Sequence, residues 1–312
     1  MNLKQIVLSE LIDNGKVISG EEIAKKSGKS RVAIRKAILS LTEQGFKIEA
    51  EQSSGYRLIS SPDILTPEYL SLYLPNDLPL KFYETIDSTN SEAKRLLSNG
   101  EKAPFVVVAK EQSGGRGRRG RSFSSPEGGL YFSLVLKANE INSVELVTTA
   151  TALGVAKALE ELTGEKVQIK WVNDVYFRGK KAVGILTEGF INMEFAQVEE
   201  VVIGVGINYE TPTIPDELKD IAISLYPKQD APHKMVEALG LTIKNIISTL
   251  NSDFLPEYKA RCFVLGKKIN VIKNGESTPA IALDLDEKAH LIVQYENGCV
   301  EHLSSGEVSI RF

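Results

Sequence analysis

The spacing of apolar residues changes character twice along this 312-residue chain, and this limits the folds that it can adopt. Apolar side chains recur at helical intervals in residues 1–45, strands alternate with helices in the middle, and short strands follow from Lys267 onward. Segments of such different periodicity are typical of separate hydrophobic cores. We therefore predict an α+β multidomain protein, with one boundary at the polar, proline-containing segment Ser60–Asp63. The predicted domains are 1–62, 63–265 and 266–312.

Composition excludes several classes of protein. The two cysteines, Cys262 and Cys299, cannot form a disulfide framework or a CxxC metal site. Because His233, His290 and His302 lie far apart in the sequence, we predict no dedicated metal site. No apolar run approaches the ~18 residues that a membrane helix needs, and the N-terminus lacks the pattern of a signal peptide. We therefore expect a cytoplasmic protein that does not bind membranes.

Positive charge is concentrated in the N-terminal 60 residues. These residues hold ten Lys or Arg against seven Asp or Glu, whereas the whole chain has 37 against 41. A basic N-terminal domain on an acidic protein indicates that this domain alone binds a polyanion.

Three predicted helices and a hairpin follow one another in this basic region. The first helix ends at Asn14-Gly15, Ser19 caps the second helix, and Ser30 caps a third helix with a basic face. This order is typical of a helix-turn-helix domain, and the hairpin would form its wing. The residues predicted to contact DNA are Ser30, Arg31, Arg35, Lys36 and Arg57. A helical dimerisation module with solvated charges is the alternative.

A glycine- and arginine-rich segment, Gly114–Arg121, follows a predicted buried strand at 105–109. Its glycines let the backbone approach a ligand, and its arginines present planar, forked donors. Its place between two strands predicts a loop that binds phosphate or an acyl phosphate. The alternative is a flexible segment that binds RNA loosely.

Further candidate residues lie at the ends of predicted elements. Lys181 stands at the mouth of a strand, where it could neutralise a carboxylate or an α-phosphate, or could simply belong to a hairpin tip. Paired glycines at Gly204 and Gly206 would let a flat ligand lie against the sheet. Thr89 and Glu92 match a capping box, which predicts Thr89 as the N-cap of a helix that ends at Asn99-Gly100.

Six motifs, in order and spacing, resemble the biotin protein ligases. They are Ile86–Asn90, Gly115–Arg121, Lys170–Asp174, Lys181–Leu186, Gly204–Asn208 and Gly306–Arg311. Because it also has the predicted N-terminal winged helix-turn-helix domain, the chain resembles the bifunctional members of the family, which also repress the biotin operon. The resemblance implies a central mixed α/β domain similar to the class II synthetases and a C-terminal SH3-like β-barrel. Val172 and Phe123 stand where the family usually has proline and often tryptophan, and we expect these departures to alter loop stiffness or stacking.

The resemblance implies a two-step reaction. Biotin and MgATP would first form biotinyl-5′-adenylate, and biotin would then pass to one lysine of a carboxylase's biotin carrier domain. The implied cofactors and substrates are biotin, ATP and Mg²⁺, and the implied partners are the carrier domain, operator DNA and a second copy in a ligand-promoted homodimer. A ligand-sensing regulator without turnover, a ligase whose head does not bind DNA, and a lipoate ligase are the alternatives.

The same resemblance assigns roles to individual residues. Biotin would contact Ser88, Thr89, Asn90, Gln112, Gly115, Arg116, Gly117, Arg118, Lys181, Gly184, Gly204 and Gly206. The nucleotide would contact Arg116, Arg118, Arg121, Phe123, Lys170, Asn173, Asn208 and Arg311. The catalytic residues would be Lys181, Arg118, Asn173 and Asp174, with Asp174 either a base or a positioning group.

Overall fold

The computed structural model describes residues 2–51, 54–192, 197–273, 275–304 and 306–310. The chain divides into two compact units, one formed by 1–76 with 234–240 and the other by 77–233 with 241–312. Across these described ranges, no helix is both long enough and apolar enough to cross a bilayer.

The first unit begins with three helices and a hairpin. These elements are α1 (Leu3–Asn14), α2 (Gly20–Ser27), α3 (Arg31–Glu43), β1 (Lys47–Glu51) and β2 (Gly55–Ser60), followed by the one-turn helix α4 (Pro67–Leu70). The Ser19 hydroxyl accepts from the Glu22 amide at 3.0 Å, and the Ser30 hydroxyl accepts from the Ala33 amide at 3.2 Å. The predicted winged helix-turn-helix order and both serine caps are confirmed.

One face of α3 forms part of the core of this unit. Its buried side chains are Ile34, Ala37, Ile38 and Leu41, and α1 and α2 contribute Val7, Leu8, Leu11 and Ile23. The hairpin joins this core through two backbone hydrogen bonds between Ile18 and Tyr56. Gly55 makes this approach possible, because a Cβ there would lie 2.1 Å from the Ile18 carbonyl oxygen.

The second unit is built on a seven-stranded sheet with flanking helices. In chain order its elements are β3 (Leu80–Ile86), α5 (Thr89–Ser98), β4 (Phe105–Gln112), β5 (Leu130–Lys137), α6 (Val147–Thr163), β6 (Gln168–Lys170), β7 (Asp174–Phe177), β8 (Lys180–Asn192), β9 (Gln197–Ile207), α7 (Met235–Leu250) and α8 (Leu255–Arg261). The strand order is β3-β4-β5-β9-β8-β7-β6, with β3 and β4 parallel and every other neighbouring pair antiparallel. The first residues of α7, up to Gly240, belong to the first unit.

Helix α5 begins one residue earlier than the capping-box prediction. The N-cap is Ser88, whose hydroxyl faces the Ser91 amide at 3.5 Å, and Thr89 is the first residue of the helix. The prediction of Thr89 as the N-cap is therefore wrong. Because Ser88 and Thr89 carry equivalent hydroxyls, sequence alone does not select between them. The structure uses the Thr89 hydroxyl elsewhere, in a hydrogen bond to Gln112.

The last part of the second unit is a five-stranded antiparallel sheet. Its strands are β10 (Lys268–Lys273), β11 (Glu276–Leu285), β12 (Leu291–Tyr295), β13 (Val300–Leu303) and β14 (Glu307–Ile310), in the order β13-β12-β11-β10-β14. The predicted Asn297-Gly298 turn is confirmed between β12 and β13, whereas Asn274 of the other predicted turn lies outside the described residues. The Trp171 indole donates to the Ala289 carbonyl at 3.0 Å and links this sheet to the larger one.

Candidate active site

Helix α5 and strand β4 meet in a buried polar network. The Thr89 amide donates to Gln112 Oε1 at 2.9 Å, and the Thr89 hydroxyl lies 3.1 Å from the same atom. Gln112 Nε2 then donates to the Ser125 hydroxyl at 2.8 Å, and this hydroxyl lies 3.0 Å from the Phe123 carbonyl. Thr89 and Ser125 are both at most 5% exposed. The end of β4 and the start of α5 are thus hydrogen-bonded to Ser125, just after the arginine-rich loop.

Asn90 continues this network across the sheet. Its Nδ2 donates to the Leu186 carbonyl at 3.1 Å and to Glu188 Oε2 at 2.8 Å. Its Oδ1 lies 2.6 Å from the Ser133 hydroxyl, which is also 2.8 Å from the Thr89 hydroxyl. A Cβ at Gly204 would come within 2.1 Å of Asn90 Oδ1, so only glycine fits beneath this amide.

Glu188 anchors the outer end of the network. Lys94 Nζ lies 2.6 Å from Glu188 Oε1, on the carboxylate that also accepts from Asn90. Burial acts to raise the pKa of Glu188, but the hydrogen bonds from Lys94 and Asn90 outweigh it and hold that pKa below its ordinary value. Sequence reasoning missed Glu188, Ser133 and Ser125. The one available signal was Ser133, a lone polar residue in the apolar strand β5.

The Phe123 ring covers Gly184 and Gly206, two of the three sheet glycines that were predicted to contact biotin. A Cβ would lie 2.8 Å from this ring at Gly184 and 2.5 Å from it at Gly206. The cavity at this position has a volume of about 20 Å³, roughly the space of one water molecule. It is lined by Ser88, Thr89, Asn90, Gln112, Arg116, Phe123, Gly184, Leu186, Gly204, Val205 and Gly206. A bicyclic ligand can therefore enter only if Phe123 moves.

The arginine-rich loop is held by its own backbone. The Gly117 amide donates to the Arg121 carbonyl at 2.7 Å, and the Phe123 amide donates to the Gly115 carbonyl at 2.8 Å. A Cβ at Gly115 would lie 2.3 Å from the Phe123 carbonyl oxygen, so this turn requires glycine. Arg119 has a positive φ of 56°, at the tip of the loop.

A second, larger cavity lies beside the first and collects the cationic residues. It is lined by Arg116, Gly117, Arg118, Arg119, Arg121, Phe123, Lys170, Trp171, Asn173, Asp174, Lys181, Gly184, Gly306 and Val308, with Ser122 and Ile185 completing the wall. Arg116, Phe123 and Gly184 line both cavities. Two neighbouring sites that share a cationic wall suit a reaction that joins two anions.

Lys181 lines the larger cavity and forms an ion pair there. Its Nζ lies 2.7 Å from Asp174 Oδ1, across the β7–β8 pair. Beside this ion pair, Arg118 donates to Asn173 Oδ1 at 3.1 Å, and Asn173 Nδ2 donates to the Ile185 carbonyl at 2.8 Å. All four predicted catalytic residues therefore lie together at one end of the sheet. The peptide between Trp171 and Val172 is cis.

Two predicted nucleotide contacts are not among these lining residues. The Asn208 side chain donates to the Ile223 carbonyl at 3.3 Å and is 8% exposed. Arg311 lies outside the described residues, although Gly306 and Val308 of the same segment line the larger cavity. Within the described part of the chain, no group of three or more His, Cys, Asp or Glu residues could hold a metal ion.

The predicted DNA contacts all lie in the first unit. Arg31, Arg35 and Lys36 are exposed on α3, and the Ser30 hydroxyl is occupied as its N-cap. Arg57 lies on β2, where its guanidinium is 3.2 Å from Glu51 and 3.6 Å from Glu49. Arg31 also faces a carboxylate, with Glu21 at 3.8 Å, so the contrast with the wing rests on Arg35 and Lys36, whose side chains have no ion pair among the described residues.

Comparison with known proteins assigns this arrangement. Residues 3–57 match an HTH domain, residues 82–208 match the biotin/lipoate A/B protein ligase family, and residues 264–311 match the biotin protein ligase C-terminal domain. A biotin protein ligase from Aquifex aeolicus, solved in complex with biotin and ATP, is 31% identical with a TM-score of 0.64. That comparison covers 75% of this chain and 98% of the Aquifex chain. The chain belongs to the biotin protein ligase family.

Curated relatives place the chain near the bifunctional members of the biotin protein ligases. The bifunctional ligase/repressor BirA of Bacillus subtilis is 38% identical over 215 residues, which are 67% of this chain and 66% of that protein. The match thus spans just under two thirds of the Bacillus relative. The bifunctional ligase/repressor BirA of Escherichia coli is 26% identical over 322 residues, 99% of this chain and 98% of its own length. The predicted family and the predicted three-part fold class are confirmed.

Proposed function

We propose that this chain is an ATP-dependent biotin protein ligase that also represses transcription. The observation that carries the ligase proposal is the Lys181–Asp174 ion pair of 2.7 Å, set in a cavity walled by the arginine-rich loop. The polar pocket beneath Asn90 adjoins this cavity and shares Arg116 with it. Biotin would occupy the polar pocket with its head group, and its carboxylate would point toward Lys181.

The first step joins the biotin carboxylate to the α-phosphate of ATP. A carboxylate oxygen attacks the α-phosphorus, the bond to the β-phosphate oxygen breaks, and pyrophosphate leaves with the electron pair. Two anions must approach each other, so cations are needed where negative charge develops. Lys181 is assigned to the oxygens of the developing acyl phosphate, and Arg116 and Arg118 to the carboxylate and phosphate on the loop side.

The remaining predicted site residues orient the two substrates. Ser88, Thr89, Asn90 and Gln112 are assigned to the biotin head group, with Gly115, Gly117, Gly184, Gly204 and Gly206 allowing close backbone approach. Arg121, Phe123, Lys170, Asn173, Asn208 and Arg311 are assigned to the nucleotide. ATP is used as its Mg²⁺ complex, in which the ion neutralises part of the phosphate charge.

The second step transfers biotin to a lysine of the carrier domain of a biotin-dependent carboxylase. The lysine amine attacks the acyl carbon of the adenylate, the bond to the phosphate oxygen breaks, and AMP leaves. The acceptor lysine is an ammonium ion at neutral pH, so it must lose a proton before its amine can attack. Asp174 is the carboxylate at this place, and it either accepts that proton or only orients Lys181. A pH profile of the transfer step, compared between wild type and Asp174→Asn, separates the two roles.

The first unit makes the proposed protein a regulator as well. The bound adenylate favours a homodimer, and the dimer places two winged helix-turn-helix domains on two half-sites of operator DNA. We propose a cytoplasmic location for this protein, where both the carrier domain and DNA are available. If the adenylate changes neither dimerisation nor operator affinity, this coupling is wrong.

Biotin-dependent exchange of labelled pyrophosphate into ATP tests the ligase proposal directly. We expect exchange in wild type that requires biotin and is not supported by lipoate. Lys181→Ala should lower exchange by about 10²–10³-fold, the usual effect of removing one transition-state donor. Lys180→Ala is the matched control, because the neighbouring Lys180 ammonium bonds the Lys219 carbonyl outside the cavity.

Three outcomes would contradict the proposal. Binding of biotin without any exchange favours a ligand-sensing regulator that has no turnover. Exchange with lipoate in place of biotin favours a lipoate ligase. Unchanged promoter occupancy after the double substitution Arg31→Ala and Arg35→Ala favours a ligase whose head does not bind DNA.

A further inference from the structure

The outward face of α3 carries two large apolar side chains that the core of the first unit does not use. Val32 is 67% exposed and Leu39 is 54% exposed. Because successive helical residues are rotated by about 100°, Val32 and Leu39 lie on one line along the helix, directly opposite the buried stripe. Arg35 and Lys36 lie on either side of that line.

The surrounding charge selects the class of partner for this face. Of the residues that the structure describes, none forms a hydrogen bond or an ion pair with the side chain of Arg35 or Lys36. A second copy packed face to face would bring these like charges together, which costs free energy. A polyanion neutralises them and releases counterions. The face therefore fits nucleic acid better than another copy of itself.

The charge of this face changes along the axis of α3. Ser30 caps the N-terminal end, and the first turn contains no acidic residue. Glu43 lies on the same face at the C-terminal end, where it would repel phosphate. The N-terminal half of α3, with Val32 in its first turn, is thus the part that enters a groove. Helix α3 is the second helix of the helix-turn-helix motif, and in such proteins the N-terminal residues of that helix contact the base edges.

We propose that Val32 contacts the C5-methyl group of thymine in the major groove of the operator, so that each half-site carries a T·A pair at this position. The proposal rests on the repressor function proposed above. Thymine is the one standard base that presents a methyl group in this groove, and the other base edges present hydrogen-bonding groups. The Val32 side chain has no donor or acceptor, so it discriminates by contact with an apolar group. Arg35 and Lys36 on its two sides would bind phosphates and fix the register.

The test begins with the full-length chain in the presence of biotin and MgATP. A preferred site is selected from a random pool of duplex DNA, and each thymine of the site is then replaced in turn by deoxyuridine, which removes only the methyl group. At one thymine per half-site, we expect the replacement to weaken wild-type binding by about fourfold, the effect of one buried methyl group. Val32→Ala should bind the thymine and uracil sites equally, and Val32→Ile should retain the discrimination.

Leu39→Ala is the matched control, because Leu39 is equally apolar and exposed but lies two turns farther along the helix. It should keep the discrimination at the Val32 position. A pool from which no sequence is enriched would contradict the repressor function itself. Enrichment of a site whose thymines can all be replaced without loss, or equal discrimination by wild type and Val32→Ala, would overturn the assignment of Val32 alone. A change in oligomeric state without a change in discrimination would identify the face as a protein interface and would also overturn it.

Discussion

The two cavities of the candidate active site are built in different ways. Around Asn90 nearly every polar atom has a protein partner, and Ser133 and Thr89 are at most 4% exposed. The arginine-rich loop instead exposes Arg116 and Arg119 and is closed mainly by backbone hydrogen bonds. The polar groups of the first region are held in place by one another, and only the Phe123 ring must move before a bicyclic ligand enters. In the second region Arg116 and Arg119 remain in solvent, whereas Arg118 is partly buried and donates to Asn173.

This difference suggests that the Asn90 pocket recognises the ligand and that the arginine-rich loop serves the reaction. A buried pocket whose polar groups are held in fixed positions discriminates between ligands, because a ligand whose polar groups do not match them loses its hydrogen bonds to water without replacing them. A solvated arginine loop recognises only charge and must order itself around the reacting groups. Substitutions in the two regions should therefore affect different measurements. The pocket should affect stability together with biotin affinity, and the loop should affect rate alone.

The largest effect is expected from Arg118→Ala. We expect kcat/KM for biotin-dependent pyrophosphate exchange to fall by about 10²–10³-fold, because one cationic donor is removed from the developing acyl phosphate. The free energy of unfolding should change little, since Arg118 lies in a partly exposed loop. Urea denaturation and exchange kinetics on the same preparation check both parts. A loss of stability that matches the loss of rate would remove the distinction between the two regions.

Asn90→Ala should have the next largest effect and should act on both measurements. The substitution removes one hydrogen-bond partner each from Glu188 and Ser133, which keep Lys94 and Thr89. We therefore expect the free energy of unfolding to fall by about 2 kcal/mol and the KM for biotin to rise. Asn99→Ala, at the exposed C-cap of the same helix, is the control and should stay within about 0.5 kcal/mol of wild type. A normal KM in a destabilised Asn90→Ala protein would show that this network is purely structural.

Glu188→Gln should change how stability depends on pH. The pKa of Glu188 is held below its ordinary value of 4.5, so the carboxylate stabilises the fold above pH 4.5. That stabilisation is lost as the pH falls through the folded-state pKa. Glu188→Gln keeps a hydrogen-bond acceptor for Asn90 but has no charge for Lys94. The two proteins should therefore differ in unfolding free energy at pH 7, and this difference should shrink as the pH falls below 4.5 through the folded-state pKa of Glu188. A difference that does not change with pH would contradict the assignment.

Arg119→Ala should have the smallest effect. The guanidinium of Arg119 is exposed and makes a long hydrogen bond of 3.4 Å to the Ile272 carbonyl. We expect exchange activity to fall by about twofold at most, the scale of one weak exposed hydrogen bond. A loss as large as that of Arg118→Ala would mean that the loop acts as one charged unit, in which the position of each arginine is unimportant.

Much of this molecule could be predicted from sequence because local signals specify it. The caps at Ser19 and Ser30, the basic face of α3 and the glycine-rich loop each lie within a few neighbouring residues. The clustering of Arg118, Asn173 and Lys181 followed only from a family resemblance, since these residues are brought together by the order of the strands. Residue spacing does not encode that order.

The residues that sequence reasoning missed make their contacts over long separations. Ser133 contacts Asn90 across 43 residues, and Glu188 contacts Asn90 across 98. The Phe123 ring on Gly184 and Gly206 shows the same limit. The glycines were predicted to let a flat ligand approach the sheet, and the sequence could not indicate that the Phe123 and Asn90 side chains lie against them.

Trp171 is an intrinsic fluorescence probe of the larger cavity. The chain has one tryptophan, which is 3% exposed and lines the larger cavity. Its indole donates to the carbonyl of Ala289, in the loop between β11 and β12 of the C-terminal sheet. Its intrinsic fluorescence therefore comes from a single position, with no averaging over other indoles. An emission change on mixing with nucleotide reports on this cavity, and a red shift under mild denaturant marks the moment when water reaches the contact between the two sheets.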